Sequence, residues 1–100
     1  MSTFLVTGAT DGIGFETARQ LAKGGARVLV HGRSDAKAKD AVKRLEGVGQ
    51  VEAVFGDLAS LAQVRVLAEQ VRRLTTRLDG LINNAGVFMN EDLRTDDGFE

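Results

Sequence analysis

The hundred residues contain no cysteine and no tyrosine, and their single histidine is His31. The lack of cysteine excludes disulfides and cysteine-based metal or catalytic chemistry within these residues. The lack of tyrosine excludes acid/base catalysis by a phenol group, and one histidine is too few for a histidine-rich metal site. The composition therefore excludes a cysteine- or histidine-rich metal site and a catalytic tyrosine in this stretch.

Long apolar runs and an excess of one charge are missing as well. No apolar stretch approaches the roughly 18 residues of a membrane-spanning helix. The strand-like run at the start leaves no room for a signal peptide, so we expect a cytoplasmic protein. The formal net charge is −1, from 13 basic and 14 acidic residues. This balance predicts neither a nucleic-acid-binding face nor a polybasic membrane patch.

Apolar runs that predict strands alternate with segments of helical periodicity. The strands are expected at residues 4–6, 27–31, 51–55 and 81–82. The helices are expected from the glycine-rich turn to Gly24, from an N-cap at Ser34 to near Gly47, and from an N-cap at Ser60 to Leu78. Arg44 is expected on the solvated face of the second helix, and residues 60–63 have the form of a capping box. The order β-α-β-α-β-α-β predicts an α/β, Rossmann-like doubly wound parallel sheet of strand order 3-2-1-4, with helices on both faces.

A glycine-rich turn, residues 7–14, lies between the first strand and the first helix. Gly8, Gly12 and Gly14 allow a sharp turn and a close approach of the backbone to a ligand. The unpaired amides and partial positive charge at a helix N-terminus favour a phosphate. Phe15 follows Gly14, whereas a P-loop would need lysine there. The turn predicts a nucleotide site, with a packing role for the glycines as the alternative.

The end of the second strand determines whether the site prefers a 2′-hydroxyl or a 2′-phosphate on the adenosine ribose. A free 2′-hydroxyl usually meets an acidic residue there, and this strand ends without one. Arg33 can pair with a 2′-phosphate and Ser34 can add a hydroxyl donor, which favours NADP over NAD. Asp35 lies close enough to disfavour a phosphate. In the alternative interpretation, Arg33 is a surface residue and Ser34 only caps a helix.

Two further polar residues follow or end predicted strands. Asp57 comes after the third strand, where its carboxylate could accept a hydrogen bond from an adenine amino group. Capping the third helix is the equally good alternative for Asp57. His31 is interpreted as a buried or strand-end histidine without a catalytic role.

These stretches together resemble the short-chain dehydrogenase/reductase family. Residues 7–14 match its T-G-x-x-x-G-I-G motif, residues 57–58 its acid after the third strand, and residues 83–86 its N-N-A-G motif. Residues 95–100 and Arg33 are similar to the retinol-dehydrogenase-like branch. The resemblance implies these cofactor-binding residues: Gly8, Thr10, Asp11, Gly12, Ile13 and Gly14 at the pyrophosphate, Asp57 and Leu58 at the adenine, and Asn83, Ala85 and Gly86 at the central sheet and the adenosine ribose.

The resemblance also implies what the chain would do. The family's catalytic Ser, Tyr and Lys lie beyond the fourth strand, so residues 1–100 are expected to be the NADP-binding half-domain of an enzyme that interconverts an alcohol and a carbonyl. Alone, this stretch should be inactive. The alternatives are a non-catalytic NAD(P)-sensing module and a folding fragment, whose exposed fourth strand would favour self-association. A methyltransferase-like fold is disfavoured by the missing acid after the second strand.

Overall fold

The structure, a computed structural model, describes residues 1–84, in which four strands alternate with three helices. The predicted Ala85 and Gly86 positions lie outside the described residues. The elements are β1 (Thr3–Thr7), α1 (Gly12–Lys23), β2 (Arg27–Gly32), α2 (Asp35–Arg44), β3 (Gln50–Phe55), α3 (Leu61–Leu74) and β4 (Gly80–Asn83).

The four strands form one parallel sheet in the order β3-β2-β1-β4. Leu5 of β1 lies beside Leu29 of β2 on one side and Leu81 of β4 on the other. The alternation and the strand order confirm the predicted Rossmann-like fold. Because the strands are parallel, the segments that follow them all leave from the same edge of the sheet, which is where such folds bind ligands.

Helices cover both faces of the sheet, which explains why the central strands β1 and β2 contain apolar runs without alternation. Side chains of successive strand residues point to opposite faces. On one face, Val6, Val28 and Val30 pack against Ala18, Ala22, Ala41 and Leu45 of the α1–α2 layer. On the other face, Leu5, Leu29 and Val54 pack against Leu67 of α3.

The third helix ends four residues earlier than its apolar stripe predicts. α3 stops at Leu74, and Thr75 adopts an extended backbone. The Thr75 hydroxyl donates to the Arg77 carbonyl at 2.7 Å and accepts from the Arg77 amide at 3.2 Å. A threonine that bonds its neighbouring backbone in this way competes with helix continuation, so Leu78 lies outside the helix. No helix within residues 1–84 is long and apolar enough to cross a membrane.

At the opposite edge from the ligand-binding one, Asp79 attaches the start of β4 to β1. The Thr3 amide donates to Asp79 Oδ2 and the Asp79 amide donates to the Thr3 carbonyl, both at 2.8 Å. Arg77 lies 3.0 Å from the other carboxylate oxygen. The Thr3 amide, and after it the Arg77 guanidinium, lower the pKa of Asp79 below its ordinary value. The ionised carboxylate therefore stabilises the folded state.

We expect Asp79→Asn to lower the free energy of unfolding at pH 7. Because the folded-state pKa is depressed, the contribution of Asp79 is present above its unfolded-state pKa and is lost as pH falls through the folded-state value. Urea unfolding followed by circular dichroism between pH 7 and pH 3 measures the difference, which should shrink with acidification. Glu46→Gln, at an exposed position, is the control. A difference for Asp79→Asn that does not depend on pH would contradict this account.

Candidate dinucleotide site at the carboxyl edge of the sheet

The glycine-rich turn adopts a backbone that depends on glycine at two positions. Gly8 has φ +61° and Gly12 has φ +58°, both in the left-handed region that other residues rarely occupy. Asp11 is the N-cap residue of α1, but its side chain makes no capping hydrogen bond, and the first turn of α1 has no acidic residue. The N-terminus of α1 therefore keeps the amides and the partial positive charge that favour an anion.

Gly14 allows the turn to pack directly against the end of β4. The Asn84 side chain donates from Nδ2 to the Gly8 carbonyl at 3.1 Å. A Cβ on residue 14 would lie 2.6 Å from that nitrogen and would overlap the Gly8 carbonyl. Gly14 is thus required for space, since its helical backbone would suit any residue. The packing alternative is therefore confirmed for Gly14, and the binding of a nucleotide by the same turn stays a prediction.

Asn83, the last residue of β4, and Asn84 after it also bond the end of β1. The Thr7 hydroxyl lies 3.0 Å from Asn83 Oδ1 and accepts from the Asn84 amide at 3.0 Å. With the Asn84 side chain on the Gly8 carbonyl, these bonds hold the beginning of the turn against β4. Asn83 is one of the predicted site residues. Asn84 belongs to the N-N-A-G motif of residues 83–86, but the sequence alone did not predict its role.

His31 is fully buried at the carboxyl end of β2 and joins two loops of the site. Its Nδ1 lies 3.0 Å from the Gly8 amide nitrogen, and its Nε2 lies 2.8 Å from the Gly56 carbonyl. Its own backbone carbonyl accepts from the Ala9 amide at 2.9 Å. Burial lowers the pKa of His31, which its bond to Gly56 only partly opposes. The prediction of a buried histidine agrees with this position, but the sequence pattern did not reveal these partners.

Arg44 of α2 binds the outer side of the turn. Its guanidinium donates to the Thr10 carbonyl, lies 4.4 Å from the centroid of the Phe15 ring, and pairs with Asp40 at 3.1 Å. Thr10 also packs closely on Gly32, where a Cβ would lie 2.7 Å from the Thr10 methyl. The sequence interpretation assigned Arg44 to the solvated face of α2, so its contact with the turn was missed.

Arg33 and Asp57 face each other across the ends of β2 and β3. Arg33 Nη2 lies 3.5 Å from Asp57 Oδ2, and the Arg33 side chain is 80% exposed. The Ala59 amide, and after it Arg33, lower the pKa of Asp57, so this carboxyl group is ionised at neutral pH. Asp35 pairs with Lys39 at 3.1 Å, which partly offsets the negative charge that was expected to disfavour a phosphate.

The helix caps near these two residues are serines. The Ser34 hydroxyl accepts from the Lys37 amide at 3.2 Å and caps α2, as the second interpretation of Ser34 predicted. The hydroxyl hydrogen of Ser34 is still able to donate to a phosphate. Ser60 caps α3 by accepting from the Gln63 amide at 3.3 Å. The alternative role of Asp57 as the cap of α3 is therefore wrong.

Asp57 is oriented by its own loop. Its Oδ1 accepts from the Ala59 amide at 3.0 Å, and its amide donates to Gln63 Oε1 at 2.8 Å. The capping box predicted at residues 60–63 is thus half formed, because the Gln63 side chain reaches Asp57 instead of the Ser60 amide. Leu58 packs against the α3-side core and anchors the loop.

The predicted site residues that the structure describes gather at one edge of the sheet, in the segments that follow β1, β2 and β3 and at the last residue of β4. They are Gly8, Thr10, Asp11, Gly12, Ile13, Gly14, Arg33, Ser34, Asp57, Leu58 and Asn83. A parallel sheet of this order with a glycine-rich turn after β1 defines the class of Rossmann-like nucleotide-binding domains.

The chain belongs to the short chain dehydrogenase family, whose sequence profile matches residues 2–100. It is 41% identical over 99 residues to human polyprenol dehydrogenase, covering 96% of this chain and 30% of that protein. It is 39% identical over 114 residues to human retinol dehydrogenase 14, covering 98% of this chain and 34% of that protein. The chain thus spans about a third of the length of these relatives.

Solved structures of the family share the fold. The complex of Pseudomonas aeruginosa RhlG with NADP superimposes with a TM-score of 0.81 and 41% identity, covering 86% of this chain and 35% of that one. A 7α-hydroxysteroid dehydrogenase complexed with NADH superimposes with a TM-score of 0.77 and 32% identity, covering 85% of this chain and 34% of that one. Both nicotinamide cofactors therefore occur among the structural neighbours.

Proposed function

We propose that these residues bind the adenosine and pyrophosphate portions of NADP in an oxidoreductase that interconverts an alcohol and a carbonyl. The observation that carries the proposal is the turn from Gly8 to Gly14. Its two left-handed glycines, its close packing on Asn84 and the uncapped start of α1 combine at the edge of the sheet where a dinucleotide binds in this fold class.

Each portion of the cofactor has residues of suitable chemistry. The pyrophosphate would lie on the turn, at Gly8, Thr10 and Asp11 and at the start of α1, where the partners would be Gly12, Ile13 and Gly14. The adenine would lie beside Asp57 and Leu58, with the ionised Asp57 accepting from the adenine amino group. The adenosine ribose would lie near Asn83, with Ala85 and Gly86 as further contacts.

Preference for NADP over NAD is assigned to Arg33 and Ser34. The Arg33 side chain is exposed at the end of β2, and its pair with Asp57 is long at 3.5 Å. A dianionic 2′-phosphate would offer that guanidinium a stronger partner than the single carboxylate does. The RhlG complex with NADP supports this preference, and the hydroxysteroid dehydrogenase complex with NADH provides the alternative.

Catalysis with the Ser, Tyr and Lys of the family would need residues other than the proposed cofactor-binding ones. Bound nicotinamide would accept or deliver the hydride, while a tyrosine phenol would exchange the proton of the substrate oxygen. Because the hundred residues include no tyrosine, we propose that they form a cofactor-binding half-domain without turnover of its own. A cytoplasmic location stays a prediction. Self-association through β4 also stays a prediction, and the 58% exposure of Leu81 on that strand favours it.

We expect Arg33→Ala to weaken NADP binding roughly 10- to 100-fold and to change NAD binding little, because only NADP carries the 2′-phosphate that the charge-assisted hydrogen bond would reach. Isothermal titration calorimetry with both cofactors measures the change in preference. Arg73→Ala removes the same charge from an exposed position near the C-terminal end of α3 and should leave both affinities unchanged.

Two outcomes would contradict the proposal in different ways. Equal loss of NADP and NAD affinity in Arg33→Ala would reject the 2′-phosphate assignment while keeping the dinucleotide site. Absence of binding to either cofactor by the correctly folded chain would reject the function.

The missing tyrosine also favours a second candidate function, a non-catalytic NAD(P)-sensing module. Such a module would bind the cofactor tightly and alter a partner's behaviour in response.

A further inference from the structure

Within residues 1–84, His31 is the one buried titratable group that the proposed function does not use. It is fully buried at the end of β2, yet both ring nitrogens lie within hydrogen-bond distance of backbone groups in two different loops. One loop is the glycine-rich turn, through the Gly8 amide. The other is the segment before Asp57, through the Gly56 carbonyl. The ring therefore spans the distance between the expected pyrophosphate and adenine ends of the site.

The chemistry of the two partners determines the protonation state of the ring. An amide N–H can only donate, so Nδ1 must present its lone pair to Gly8. A carbonyl oxygen can only accept, so Nε2 must carry the hydrogen that bonds Gly56. Only the neutral tautomer with hydrogen on Nε2 satisfies both bonds. A protonated ring would place a second hydrogen on Nδ1, directly opposite the Gly8 N–H.

We propose that His31, in its neutral Nε2–H tautomer, is a positioning residue for the dinucleotide that holds the glycine-rich turn and the Asp57 loop in their binding arrangement. The inference rests on the proposed function only for the ligand. Gly8 is the point where this effect would reach the cofactor, because its amide is held by His31 and its carbonyl by Asn84. At this left-handed residue, loss of the bond to His31 would leave the peptide unit between Thr7 and Gly8 less constrained in its orientation.

The charged groups around His31 do not favour its protonation. Arg33 and Asp57, on the ends of β2 and β3, pair with each other, and Asp11 is exposed in the turn. On α3, Arg65 is exposed, while Glu69 pairs with Arg72 and Arg73 at the surface. Among the described residues, no ion pair reaches the His31 ring. Protonation would thus bury a charge without a partner.

The first test uses the full chain without any ligand. Because His31 is the only histidine, its ring nitrogens can be identified by NMR in a ¹⁵N-labelled sample without assignment of other rings. We expect the Nε2–H tautomer at pH 7, and a change in the Gly8 amide resonance that follows protonation of the ring as pH falls. The Nδ1–H tautomer, or a ring charged at pH 7, would overturn the proposal regardless of whether the chain binds NADP.

The second test separates the two bonds with three substitutions. His31→Asn places an acceptor where Nδ1 lies, His31→Gln places a donor where Nε2 lies, and His31→Phe retains the ring without either bond. For His31→Phe and His31→Gln we expect NADP binding about 5- to 10-fold weaker than that of the unsubstituted chain, the equivalent of one hydrogen bond. His31→Asn should recover most of this loss, because it keeps the bond to Gly8.

The pH profile distinguishes positioning from a purely structural role. The NADP affinity of the unsubstituted chain should fall relative to His31→Asn as pH drops through the pKa of the ring. Taking the ratio of the two Kd values removes the titration of the 2′-phosphate, which is common to both. Circular dichroism establishes that each variant is folded. A Kd ratio that does not change with pH would overturn the proposal, and so would equal NADP affinities in His31→Asn and His31→Phe. If neither the unsubstituted chain nor any variant bound NADP, the proposed function would be rejected instead.

Discussion

Gly14→Ala should abolish measurable dinucleotide binding and destabilise the fold by about 1–3 kcal/mol or more, the usual range for overpacking. The added methyl group would overlap the Gly8 carbonyl and lie 2.6 Å from Asn84 Nδ2. These two groups form the hydrogen bond that holds the turn against the end of β4. One methyl group would therefore separate α1 from the turn, break that bond, and move the amides that are expected to bind the pyrophosphate.

A second glycine provides a matched control for this substitution. Gly24 ends α1 with φ −80°, and a Cβ there would lie 3.4 Å from the Gln20 carbonyl, which is ordinary contact. We expect Gly24→Ala to leave cofactor affinity unchanged and the free energy of unfolding nearly so. Calorimetry with NADP and urea unfolding measure both quantities. Binding by Gly14→Ala that matches Gly24→Ala would show that the close packing at Gly14 is not required.

The sequence was sufficient to predict the fold because its local patterns agree with one another. Strand-like runs without alternation, such as Val28-Leu29-Val30, are typical of strands buried on both faces, and each is followed by a turn and a periodic helix. Ser34 and Ser60 were predicted as caps from their positions alone, and both hydroxyls accept from the third amide of the helix. Such contacts join residues that are close in sequence, so a local sequence pattern is enough to predict them.

The features that the sequence did not reveal are contacts between distant segments and competing local bonds. His31 lies 23 residues from Gly8 and 25 from Gly56, so no local pattern could reveal that it joins their loops. Arg44 reaches Thr10 across 34 residues. Gln63 matches a capping box by spacing, but the nearby Asp57 amide takes its side-chain oxygen. The apolar stripe of α3 continues past Leu74, where bonds within residues 75–77 end the helix.

Leu29→Ala should have the largest effect on stability, because the α3-covered face of the sheet has a small core. Leu29 is fully buried and packs in that core with Leu5 and Val54 of the sheet and Leu67 of α3. Truncating such a leucine costs about 2–5 kcal/mol, a large part of the roughly 5–15 kcal/mol that keeps a domain of this size folded. We expect an unfolding midpoint in urea far below that of the unsubstituted chain.

Loss of this core should also reach the cofactor site, through two glutamines of α3. The Gln70 side chain bonds both the amide and the carbonyl of Phe55 at 2.9 Å, and Gln63 bonds the Asp57 amide. A loosened α3 would release these three bonds and with them the adenine-side loop. Under conditions in which Leu29→Ala is still folded, we therefore expect this variant to bind NADP more weakly than the unsubstituted chain, although Leu29 lies in the core and away from the cofactor site. Leu81→Ala, at an exposed position on β4, is the control, and equal effects of the two substitutions would mean that α3 contributes little to either property.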